Sequence, residues 1–118
     1  MSYGVQFKVK AEGVDFWARV MSCHPTFTKS AKKSLEKMTG LSWEEDKSVG
    51  FCIDVMPIIK STLDELCINP HIYEPCEPEM FWEEIEMLRY FFGWLLRDWE
   101  DFKKKYPELV SVATFWIY

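Results

Sequence analysis

Glycine is scarce and scattered: five residues among 118, with no dinucleotide fingerprint, no Walker-type phosphate loop and no nucleophile elbow. Their absence removes the patterns that place a phosphate or a serine nucleophile on a tight backbone turn. Positive charge is also short. Lys and Arg total 14 against 19 Asp and Glu, a formal charge of −5, whereas a nucleic-acid binder needs a surplus of cations on one face. Long apolar runs are missing too. The longest uncharged stretches fall far below the ~20 residues of a membrane span, and Met1 to Lys10 lacks the apolar core of a signal peptide. Four cysteines (Cys23, Cys52, Cys67, Cys76) in a chain with an ample core and no secretion signal read as reduced thiols. With no linker, internal repeat or low-complexity tract, residues 1–118 read as a single cytoplasmic domain.

What the chain has in quantity is aromatic side chains, 17% of all residues. From Phe81 onward, Ile85, Leu88, Phe92, Leu95, Trp99, Phe102 and Tyr106 recur at alternating steps of four and three. That period predicts one long helix over 79–106 with a continuous buried stripe, widened by Met87, Phe91, Trp94 and Leu96. Two shorter helices are expected at 28–38 and 54–68. Thr26 or Thr28 would cap the first and Thr39-Gly40 would end it. The second would begin near Asp54, because Pro57 suits a first turn.

Strict alternation over 3–11 and 14–21 predicts a hairpin turning at Glu12-Gly13. The β-branched and aromatic run 110–118 predicts a terminal strand covered on both faces. The expected fold class is therefore α+β, in the order β-β-α-α-α-β. A three-stranded, mainly antiparallel sheet would pack against three helices, the last one long.

Candidate sites are few. Cys67, His71 and Cys76, with Cys23-His24 as a distant second half, carry zinc-type ligands, but their spacing is looser than the C-x₂₋₄-C pairs of structural sites. The expectation is no metal and no cofactor, with Cys67 and Cys76 facing the core and His71 in a loop. Glu83, Glu84 and Glu86 read as the polar face of the long helix, favoured by its N-terminal dipole. No catalytic residues are assigned, and the chain reads as a non-enzyme.

Charge and aromatics instead suggest binding. One acidic cluster is Glu44, Glu45 and Asp46 beside Trp43; a second run holds Glu74, Glu77, Glu79 and Glu83 beside Trp82. Exposed Trp is enriched at interface hot spots, and grouped carboxylates steer a basic partner. These nine residues are the expected partner-binding set. The alternative is a sponge that sequesters a signalling nucleotide in an aromatic pocket between helix and sheet, with Lys29, Lys32, Lys33 or Arg19 on its phosphate.

The layout also resembles a group of small phage and prophage-type accessory proteins. The resemblance rests on the hairpin, the helix ending in Met38-Thr39-Gly40 and the segments "VMPIIKSTLDEL", "NPHIYEP", "FWEEIEMLRYFFGWLLRDWEDF" and "PELVSVATFWIY". It implies an accessory protein that inhibits a host defence protein by direct contact in the host cytoplasm. It implies no catalytic residues.

Overall fold

The computed structural model describes residues 2–21, 26–28, 33, 36–41, 49–75 and 77–117. Among the described residues there are five strands: β1 (Ser2–Lys10), β2 (Ala18–Arg19), β3 (Thr26–Thr28), β4 (Gly50–Phe51) and β5 (Val112–Ile117). Two long helices are α1 (Cys52–Ile68) and α2 (Phe81–Lys105). Residues 33 and 36–39 are also helical. The architecture is α+β, as the sequence predicts, with an antiparallel sheet ordered β2-β1-β5-β4 and β3 paired to the start of β1.

β1 and β5 form the long central ladder, from Val5 opposite Ile117 to Lys10 opposite Val112. Alternation places Phe7, Val9, Ala113 and Phe115 on one face, all fully buried. α2 packs its inner stripe of Ile85, Leu88, Phe92, Leu95 and Trp99 into the same core. The Phe7 ring meets Trp99 edge-on at 6.2 Å and Phe115 at 5.3 Å, and Phe91 closes on Phe115 at 6.5 Å. The second face of β5 is covered as well, since Val112 and Thr114 are buried.

Several boundaries differ from the expectation, each for a local reason. The Glu12-Gly13 turn forms, with Gly13 at φ +82 and Val14 N–H donating to the Ala11 carbonyl at 3.1 Å. The return strand, however, pairs Val9 with Ala18 and Lys8 with Arg19. That register lies two residues later than a tight hairpin allows, so Val14 and Phe16 stay exposed in a wide loop. A two-residue shift preserves the face of every side chain, and for that reason the alternation could not reveal it.

Thr26 and Thr28 belong to β3 and not to a helix cap. Gly40 does end a helical turn, at φ +68 with its N–H on the Glu36 carbonyl. α1 starts at Cys52, two residues before the expected Asp54, because Cys52 N–H is already fixed on the Ser111 carbonyl beside the β4–β5 pair. Pro57 consequently sits in the sixth helical position. It and Ile53, whose carbonyl loses its helical donor, are both exposed, so water can replace the missing bond. A 3₁₀ turn, Pro78–Met80, leads into α2, and a second, Pro107–Leu109, follows it.

Candidate functional site

The long helix presents aromatics outward as well as inward. Trp82 and Tyr90 are each 61% exposed and Trp94 is 40% exposed. Trp94 therefore does not widen the buried stripe as expected. It lies four residues after Tyr90 on the outer face, their rings meeting edge-on at 6.2 Å, and Arg97 stands over it at 5.8 Å. Phe91, Met87 and Leu96 do turn toward the core.

Trp82 packs within a cluster of rings. Its ring packs edge-on against Phe81 at 4.9 Å and against His71 at 6.0 Å, while His71 stacks flat on Phe81 at 5.0 Å. The 69–75 segment that carries His71 is anchored from below. Tyr73 is almost fully buried and its hydroxyl donates to the Glu84 carboxylate, which is itself only 5% exposed. Glu84 is thus no part of a solvated polar face. It shares a helical face with Leu88, Phe91 and Leu95, and that spacing was the available signal for its burial. Arg89 adds a second tie, donating from Nε at 3.2 Å and Nη2 at 2.6 Å to the Leu66 carbonyl. It supplies the cation that the last turn of α1 lacks in its own sequence.

These ties shape a depression of about 440 Å³ lined by His71, Tyr73, Glu74, Pro75, Pro78, Phe81 and Trp82. Of the expected binding residues, Glu74 and Trp82 line it. Glu77, Glu79 and Glu83 are exposed on the adjoining 3₁₀ turn and first turn of α2. Glu74 also pairs with Lys37 at 3.3 Å, both side chains well exposed, which ties this segment to the helical turn at 36–39. Trp43, Glu44, Glu45 and Asp46 lie outside the described residues, as do Cys23, His24, Cys76, Lys29 and Lys32.

The two described thiols, Cys52 and Cys67, are free. Cys67 is exposed and does not face the core as expected; it follows Leu66, the last inward position of α1. Cys52 is buried, and burial pushes its thiol up to about 12, so it stays protonated at neutral pH. Among the described residues no cluster of three metal-ligating side chains is found. No described helix is long and apolar enough to cross a membrane.

Arg19 lies apart from the Trp82 end. It lines a groove of about 520 Å³ between β2 and the end of α2, with Lys8, Phe16, Trp17, Phe102 and Tyr106. Lys33 is exposed elsewhere. The helix–sheet seam itself is filled by Phe7, Phe91, Phe92 and Phe115. Compared with protein-family models, curated proteins and solved structures, the chain matches none.

Proposed function

We propose that this chain is a non-enzymatic binding protein that docks a basic protein surface with the N-terminal end of α2. The observation that carries this reading is Trp82: a large, 61% exposed indole braced on two rings beside a concave surface. An exposed Trp held in one place supplies contact area with little ordering cost, which is the character of an interface hot spot. Glu77, Glu79 and Glu83 form the polar rim, where carboxylates accelerate encounter with a cationic partner. The phage-type resemblance supports a host protein as that partner and inhibition as the outcome.

Affinity capture from host lysate with three baits tests this directly: wild type, Trp82→Ala, and a triple Glu77, Glu79, Glu83→Lys variant. The expected result is a partner retained by wild type, lost with Trp82→Ala, and weakened by the triple variant in a salt-dependent way. A partner held equally by all three baits would remove the Trp82 end from the reading.

A second reading has one observation in its favour. The Arg19 groove joins Lys8 and Arg19 to Phe16, Trp17 and Tyr106, the combination that stacks a base and pairs a phosphate. A nucleotide sponge would use that groove rather than the filled helix–sheet seam. Thermal shift against a nucleotide panel checks it: at a hundredfold excess over Kd, stability rises by about 2.7 kcal/mol. A shift that survives Arg19→Ala and Trp17→Ala would place the ligand elsewhere.

A further inference from the structure

Gly93 stands in the middle of the 25-residue helix α2, where glycine weakens a helix relative to alanine. Among the described residues nothing requires it. Its backbone is helical, and beyond that helical backbone and its chain neighbours an added Cβ would meet no atom of the described residues within 4 Å. Gly93 instead floors an open groove of about 590 Å³ on the outer face of α2, walled by Trp82, Glu86, Tyr90, Trp94 and Arg97. Along that face Glu86, Tyr90, Gly93 and Arg97 follow one another at steps of four, three and four. This is the spacing of a helix-packing seam.

The seam is complementary to itself when reversed. About a two-fold axis between Phe91 and Phe92, Glu86 of one helix faces Arg97 of the other, and Tyr90 faces Gly93; each pairing occurs twice. An acid thus meets a base, and a ring meets the space left by the missing Cβ. A parallel pairing has neither property, because it sets Glu86 on Glu86, Arg97 on Arg97 and gap on gap. Arg97 lies over Trp94 at 5.8 Å and is only loosely paired with Asp98, its Nε 4.0 Å away and its side chain 67% exposed. That is a weak surface pair to exchange for Glu86 of the partner. Trp94 flanks the crossing beside Tyr90 and would extend its apolar part.

We propose that this face binds a second copy of the chain, α2 against α2 and antiparallel, in a closed two-fold dimer with Tyr90 seated over the partner's Gly93. Trp82 walls the same groove at its rim, so the variants that test the dimer are placed at Glu86, Gly93 and Arg97, away from the docking end described above.

Sedimentation equilibrium of the full chain, from micromolar to sub-millimolar concentration at low salt, tests the pairing. The wild type should show a reversible monomer–dimer equilibrium. Glu86→Arg and Arg97→Glu should each raise its Kd at least about tenfold, because like charges then face each other twice. An equimolar mixture of these two variants should regain dimer, since every Arg again meets a Glu. Gly93→Leu should abolish the dimer, with circular dichroism confirming an intact fold. A wild type that remains monomeric, single swaps that leave Kd unchanged, or a mixture that restores nothing would overturn the proposal.

Discussion

On its inward side α2 holds Phe91, Phe92 and Trp99 at 7% exposure or less, while on its outward side Trp82 and Tyr90 stand 61% exposed. The two faces draw on the same residue types in the same 25 residues. The inward rings touch β1 and β5 and are needed to close the core. The outward rings touch chiefly one another and the 69–75 segment, so the domain would fold without most of them. What separates a structural aromatic from a functional one is therefore whether the fold already covers it.

The sharpest way to break this comparison is to place the same change on both faces. Phe92→Asp buries an unpaired carboxylate among Phe7, Phe91 and Phe115, at a cost of about 5 kcal/mol or more, enough to unfold a marginal domain. Tyr90→Asp on the outer face should move stability by only about 0.5 kcal/mol. Urea denaturation of both variants checks the pair. A cooperatively folded Phe92→Asp chain would mean that the inner stripe does not form the core.

A smaller effect tests the seam between the two faces. Glu84 lies on the inward arc, and Tyr73 reaches it from a loop. Glu84→Ala removes the carboxylate that accepts from the buried Tyr73 hydroxyl and should cost about 1–3 kcal/mol. Tyr73→Phe removes the donor of the same bond from a carboxylate that is only 5% exposed, and should cost at least as much. If Trp82 depends on this anchor as argued, its fluorescence should report a more mobile indole in both variants.

How far the sequence disclosed this arrangement depended on the length of each signal. The inner stripe of α2 is buried from Ile85 to Trp99 and partly buried at Phe81 and Phe102, long enough for its period to be read. Tyr106, expected to continue it, lies past the helix end and is exposed. β4 is two residues long, Gly50–Phe51, too short for any alternation to register. The same polar threonines that suit a helix cap suit β3, so only the pairing partner Ser2–Gly4 distinguishes them. At the site, Trp82 was legible because it falls off the buried stripe. Glu84 was hidden between Glu83 and Glu86, and its partner Tyr73 is brought to it only by the fold. Trp94 was absorbed into the widened stripe, although four-residue spacing already aligned it with Glu86 and Tyr90.

The same inward–outward contrast recurs in the thiols of α1 and gives a pH prediction. Cys52 is protonated up to about 12 in the folded chain, against 9.0 for its ordinary value. Above pH 9 the unfolded chain releases this proton and the native chain keeps it, so stability falls as pH rises from 9 toward 12. The slope from this group is at most about 1.4 kcal/mol per pH unit. Cys52→Ala should flatten that alkaline loss while Cys67→Ala leaves it unchanged. Native-state thiol labelling at pH 8 should modify Cys67 and spare Cys52.

The smallest effect is the most discriminating, because it has opposite signs for folding and for association. Gly93→Ala adds a methyl group that meets nothing of the described residues within 4 Å beyond its own helix backbone and chain neighbours, and removes a flexible residue from a helix interior. The isolated chain should gain about 0.5–1 kcal/mol, measured by denaturation at concentrations that keep it monomeric. Association should weaken at the same time, since the methyl occupies the space that receives Tyr90. A glycine kept for folding would show the reverse sign in the first measurement, and one kept for no reason would leave the second unchanged. Only a glycine that serves the outer face gives a stabler monomer and a weaker dimer together.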